Sequence, residues 1–204
     1  MGRIVLEIAC ASVADAAAAA RGGADRLELC SALELEGLTP SSGLLAAVRR
    51  HIRLPIMAMV RPRPGDAVYT STEWGVMEAD AEALLEAHSD GIVFGALDAK
   101  GRVDEHRCRG MVMLAAGAPV VFHRAFDQAA DPFAALEALV ASGVTRVLTS
   151  GGAPTALEGA ERLRRLVTQA AGRIAVMPGG GIRESNVEEI VRRTGCTAVH
   201  LSRR

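Results

Sequence analysis

His123, Arg124 and Asp127 fall within one short stretch, Phe122-His123-Arg124-Ala125-Phe126-Asp127, at the end of an apolar run that begins at Pro119. The stretch offers a general acid or base in His123 and a guanidinium, Arg124, suited to stabilising developing negative charge. Asp127 either orients the imidazole or caps the next turn. Glu7 and Glu28 lie inside apolar runs, Val5-Leu6-Glu7-Ile8 and Leu27-Glu28-Leu29. An ionised carboxylate in such surroundings is costly unless paired. The partners expected for them are Arg61, Arg63 and Arg124. Arg61 and Arg63 leave a further apolar run through Arg61-Pro62-Arg63-Pro64-Gly65-Asp66. The prolines stiffen that segment, and guanidinium forks suit carboxylate or phosphate. Gly179-Gly180-Gly181 either offers backbone N–H groups to an anion or makes a tight turn that needs positive φ. A salt-bridge layer inside the fold and a pocket for a polar ligand both satisfy these charges, and both readings stand at this level. His123 is open in the same way, as base, metal ligand or core histidine.

The sulfur-bearing residues form a second set. Cys10 and Cys30 each end an apolar run, while Cys108 and Cys196 fall elsewhere. Thiols from two neighbouring strands, with Met57, Met59 and Met177 on others, would make a soft-metal site, and such ligands select Cu(I). No CxxC, MxCxxC or His-rich tract is present, and buried Cys and Met also serve simply as core.

Short strands must position all of these groups. Apolar runs at residues 4–9, 26–29, 56–60, 91–94, 120–123, 146–149, 174–177 and 198–201 are bounded by Gly, Pro or polar residues, as buried parallel strands are. The segments between them carry helix signals. Ser12 precedes Val13-Ala14-Asp15 as an Asp-type capping box, and Asp131-Pro132 puts an N-cap before a first-turn proline. Gly22-Gly23, Gly117 and Gly143 fall where helices should stop. Eight strands alternating with helices predict an α/β fold, a (β/α)8 TIM-type barrel in a single domain spanning residues 1–204. In that architecture the C-terminal ends of the strands carry the site. The sequence stops at Arg204, three residues past the eighth run, so the expected barrel has its closing C-terminal helix missing or truncated.

Composition narrows the classes. The chain has 204 residues, 50% hydrophobic but only 3% aromatic, with 23 basic against 24 acidic residues and a net charge of −1. No basic block interleaved with aromatics supports a nucleic-acid partner, and no apolar run reaches the roughly 18 residues of a membrane span. The N-terminus reads as a strand without a signal-peptide h-region, and four dispersed Cys suit a reducing compartment. The expectation is a soluble cytoplasmic protein.

The motifs together resemble the CutC copper homeostasis family. Leu6-Glu7-Ile8-Ala9-Cys10 and Gly22-Gly23-Ala24-Asp25-Arg26-Leu27-Glu28-Leu29-Cys30 are similar to that family's opening. Gly37-Leu38-Thr39-Pro40-Ser41, Val60-Arg61-Pro62-Arg63-Pro64-Gly65-Asp66, Phe122-His123-Arg124-Ala125-Phe126-Asp127, Arg146-Val147-Leu148-Thr149-Ser150-Gly151 and the triple-glycine turn continue the likeness collinearly. Glu36 stands where the family usually has Gly, and Ala9 where it has an adjacent second Cys. His200 and Ser202 keep the family's last-strand residues. The resemblance implies a TIM-type barrel, a cytoplasmic location, a role in copper tolerance or trafficking, and copper held by Cys10 and Cys30. Association as a homodimer is implied by the resemblance alone.

Two functions follow. In the first, the chain binds Cu(I) through Cys10 and Cys30, with His200 or Met57 assisting. In the second it is a lyase- or isomerase-like enzyme acting on a small phosphorylated or carboxylated substrate at the barrel mouth. Arg61, Arg63, Gly179, Gly180 and Gly181 would hold the anion, with Thr149, Ser150, His200 and Ser202 completing the ligand set. Glu7, Glu28, His123, Arg124 and Asp127 would carry the chemistry. Lys100, the only Lys, falls in a loop, which argues against a Schiff-base aldolase.

Overall fold

The computed structural model describes residues 3–202. The strands are β1 (Val5–Cys10), β2 (Arg26–Leu29), β3 (Ile56–Met59), β4 (Gly91–Phe94), β5 (Val120–Phe122), β6 (Arg146–Thr149), β7 (Ala175–Pro178) and β8 (Ala198–Leu201). Between them run α1 (Val13–Arg21), α2 (Ser42–His51), α3 (Ser71–Glu86), α4 (Glu105–Leu114), α5 (Pro132–Ala141), α6 (Ala160–Ala170) and α7 (Val187–Thr194). All strand pairs are parallel, and the order follows the chain from β7 back to β1, with β8 beside β1. Among the described residues a single bridge, Gly179 with His200, joins the β7 end to β8. The expected (β/α)8 barrel is therefore present, nearly closed, with seven α-helices among the described residues.

The sequence signals act as expected at several ends. Asp131 accepts from the amides of Phe133 and Ala134 ahead of Pro132, and Gly22 caps α1. Ser12 accepts from the Asp15 amide and donates to the Asp15 carboxylate, so Asp15 does not reach back to the backbone. The reciprocal capping box lies instead at Thr70 and Glu73, which starts α3. Two strands sit one residue later than expected, β1 and β7. β3 and β5 end one residue earlier, because Val60 and His123 already turn into the loops above the barrel.

Side chains alternate between two environments. Leu27, Leu29, Ile92, Phe94 and Phe122 pack outward under the helices. The few aromatics are concentrated there, with Trp74, Phe94 and Phe122 in successive edge-to-face contacts at 6.2 and 5.6 Å. Inside the barrel lie two smaller apolar clusters. One contains Cys30, Met57, Met59, Val93 and Val121; the other contains Leu148, Met177 and Ala198.

The loop after β6 is held closely to α6. An added Cβ at Gly159 would lie 1.9 Å from the Ser150 carbonyl oxygen, a backbone atom that cannot swing away. Gly159→Ala is expected to cost about 1–3 kcal/mol or more, read as a lowered denaturant midpoint at unchanged slope.

Candidate functional site

Glu7 on β1 is fully buried, and β2 and β8 supply its partners because Arg26 and His200 sit opposite it in register. Arg26 Nε donates to Glu7 Oε2, and His200 Nδ1 lies 2.9 Å from Glu7 Oε1. Burial pushes the Glu7 carboxyl up, but the His200 hydrogen bond and the charges of His200 and Arg26 outweigh it and hold the group down at about 2. On the other side of the imidazole, His200 Nε2 is 3.8 Å from Glu28 Oε1. Burial lifts the Glu28 carboxyl to about 7, against the pull of His200. Burial also opposes charge on His200, yet the Glu28 charge and the Glu7 hydrogen bond raise it. His200 thus lies between one carboxyl held down, Glu7, and one pushed up, Glu28. Glu28 Oε2 is buried without a hydrogen-bond partner among the described residues.

These pairings correct the expected ones. Arg61, Arg63 and Arg124 do not bind Glu7 or Glu28. Arg61 is buried and donates to the carbonyls of Leu35, Gly37 and Gly65. Arg63 turns outward to Glu73, Asp66 and the Val68 carbonyl, with its guanidinium 5.0 Å from the Tyr69 ring centre. It takes no part in lining the mouth. Arg124 Nε donates to Asp127 Oδ2 at 2.8 Å and Nη2 to Ser150 Oγ at 3.0 Å.

Asp127 neither orients His123 nor caps α5. Its carboxylate accepts from Arg124, from the Thr149 hydroxyl and from the amides of Ser150 and Gly152, tying the turn after β5 to the loop after β6. Thr149 is wholly buried in that tie, and Ser150 Oγ bridges Arg124, Asp127 and the Ala153 carbonyl. His123 opens the 3-10 turn Arg124–Gln128, and its Nδ1 accepts from the Ala125 amide at 3.0 Å. That bond fixes the ring proton on Nε2, which is buried and unpartnered. Burial, with the Arg61 charge, pushes the imidazole down to about 3, so His123 is neutral.

A cavity of about 350 Å³ opens at this end of the barrel. Glu28, Arg61, His123, Arg124, Gly180 and His200 are among its walls, and Asp127, Gly181 and Ser202 reach it too. Gly179 lies beneath, where an added Cβ would meet Leu148 Cδ1 at 2.5 Å.

The thiols are placed differently from the expected pair. Alternation from Glu7 turns Cys10 outward into the helix–sheet core, whereas Cys30 faces the barrel interior with Met57 and Met59. Cys10 and Cys30 therefore occupy opposite faces of the sheet. Burial raises the Cys10 thiol to about 12 and the Cys30 thiol further, so both are protonated at neutral pH. The ligand atoms of Glu7, Glu28 and His200 lie within 4.8 Å of one another and could hold a metal ion. That oxygen and nitrogen set is harder than Cu(I) prefers, and Arg26 already occupies one Glu7 oxygen.

Sequence reasoning gave Arg26 no role. Its position was readable, since Arg26, Glu28 and Cys30 alternate along one strand and must share a face.

The model of the family described as the CutC family matches residues 4–204. The chain is 46% identical over 200 residues to the human copper homeostasis protein cutC homolog, spanning 98% of this chain and 73% of that one. It is 50% identical over 199 residues to a CutC family protein of Xylella fastidiosa strain Temecula1, spanning 98% and 74%. A solved structure described as a copper homeostasis protein CutC from Streptococcus agalactiae superposes with a TM-score of 0.93 at 31% identity, covering 98% of this chain and 99% of that one.

Removing Glu7 strands a partly buried Arg26 and a buried His200, so Glu7→Ala is expected to cost about 3–5 kcal/mol in denaturant unfolding. Acid titration reads the same group separately. Glu7 has a folded pKa of about 2 against an ordinary 4.5, so its contribution is complete above about 4.5 and is lost as pH falls towards 2. The stability difference between the wild type and Glu7→Gln should shrink across that window, and a constant difference would show that Glu7 is not held ionised.

Proposed function

Because the chain belongs to the CutC family, we propose that it serves copper homeostasis in the cytoplasm, taking Cu(I) as cargo on the soft side chains of the barrel interior. The observation that carries this reading is the grouping of Cys30 with Met57 and Met59 in one interior cluster. A Cβ at Gly37 would stand 3.4 Å from both Cys30 Sγ and Met59 Cε, so thiol and thioether flank the same spot near the mouth. Sulfur donors of this kind favour Cu(I) over harder ions. Loading releases the Cys30 proton, which makes binding stronger as pH rises. Cys10, the second ligand implied by the family likeness, faces the helices and joins Cys30 on one ion only if β1 shifts. Four unpaired, buried cysteines suit a reducing compartment.

An anaerobic Cu(I) titration against a chromophoric chelator tests this directly. One tight site is expected in the wild type. It should weaken about ten-fold or more in Cys30→Ser and persist in Cys108→Ser/Cys196→Ser, while Cys10→Ser reports whether the second thiol takes part. Weak binding throughout, or equal loss in all three variants, would make copper incidental to this chain.

A further inference from the structure

The mouth cavity contains polar groups that the copper reading does not use. Its volume, about 350 Å³, is within the range of small-molecule sites, roughly 300–1,000 Å³. Three features of its walls point to one ligand chemistry.

The first is uncompensated charge. Arg61 is buried at 7% exposure, its guanidinium donates to the backbone carbonyls of Leu35, Gly37 and Gly65, and among the described residues no carboxylate forms an ion pair with it. A buried cation without a counter-charge is costly, and an anion in the cavity it lines offsets that cost. The second is a guanidinium held from behind. Asp127 and Ser150 fix Nε and Nη2 of Arg124, leaving Nη1 on the side of Gly180. An added Cβ at Gly180 would stand 3.5 Å from that atom, so the bare glycine keeps open the approach to it. Gly180 has φ +101 and Gly181 φ +69, the left-handed region that a side chain disfavours. The third is a pair of orphaned polar atoms. His123 Nε2 and Glu28 Oε2 are both buried and unpartnered among the described residues, and both residues line the cavity. His123 presents a donor only, because Nδ1 already accepts from Ala125, and a neutral imidazole N–H suits a polarisable carbonyl oxygen. Glu28 Oε2 suits a hydroxyl.

We propose that the barrel mouth binds a small anionic hydroxycarbonyl compound, with its phosphate or carboxylate group on Arg124 beside the Gly180–Gly181 turn, its carbonyl oxygen on His123 Nε2–H and a hydroxyl on Glu28. Arg61 supplies long-range positive charge without touching the ligand. The ring of His123 is aimed by packing. An added Cβ at Gly95 would lie 2.4 Å from His123 Cε1, so the imidazole lies directly over that glycine. This site stands independently of copper, and its occupancy does not require Cys30.

Calorimetric titration of the metal-free protein tests the proposal with four probes: dihydroxyacetone phosphate, glycerol 3-phosphate, hydroxypyruvate and glycerate. The first and third carry a carbonyl where the second and fourth carry a hydroxyl, and the two pairs separate phosphate from carboxylate. At least one carbonyl probe is expected to bind about ten-fold tighter than its hydroxyl counterpart. Arg124→Met should weaken both members of the preferred pair about ten-fold or more, the loss of a charge-assisted contact. Gly95→Ala, which displaces the His123 ring without changing any charge, should erase the carbonyl preference and leave the hydroxyl probe within about three-fold. Absence of binding by all four probes, or unchanged binding in Arg124→Met, would overturn the proposal. Equal affinity for carbonyl and hydroxyl partners would overturn the role of His123. The Cu(I) titration with Cys30→Ser is read separately, so failure of one reading leaves the other to its own result.

Discussion

The carboxylate of Glu7 sits at the centre of a hydrophobic barrel, and the architecture around it follows from keeping that charge satisfied. Arg26 and His200 come from the two strands that flank β1. One residue of slip in either pairing would turn a partner to the outer face of the sheet. The triad therefore specifies register at the point where the last strand meets the first. Apolar packing alone would leave that register less constrained, since Val, Leu and Ile are close to interchangeable along neighbouring strands.

From that centre the chemistry grades towards the mouth. Glu7 is held ionised by His200 and Arg26, burial raises the Glu28 carboxyl beside His200, and His123 above them is neutral. Asp127 then braces the rim, because its carboxylate gathers bonds from the turn after β5 and the loop after β6. Two loops held by one carboxylate lose little further freedom when something binds between them, which favours preorganised recognition. One interior apolar cluster, with Cys30, Met57 and Met59, lies on the β2–β5 side, and a second, with Met177, lies on the β6–β8 side.

The fold was legible because each strand is short, apolar and punctuated by turn residues, and eight such runs leave few alternatives. The burial of Glu7 and Glu28 was legible from their apolar flanks. Their partners were not, since proximity across the closure of a barrel is set by stagger between strands distant in sequence. Arg63 misled for a local reason: alternation ends with Arg61, and the proline on either side of Arg63 carries it outward to Glu73. The separation of Cys10 from Cys30 was available from counting. Glu7 and Ala9 share one face, which sends Cys10 to the other, while Glu28 and Cys30 share the inner one. The proton position on His123 depends on a turn amide, and nothing in the residue types announces that.

The single bridge between Gly179 and His200 has a mechanical meaning. Seven of the strand junctions are laced by ladders, whereas the eighth is fastened at one point. Breathing of a cylinder concentrates along its weakest stitch, since local opening draws on the least-bonded part of a structure. In this barrel the stitch holds His200, so the residue whose imidazole lies between the two buried glutamates sits on the least-bonded junction of the sheet.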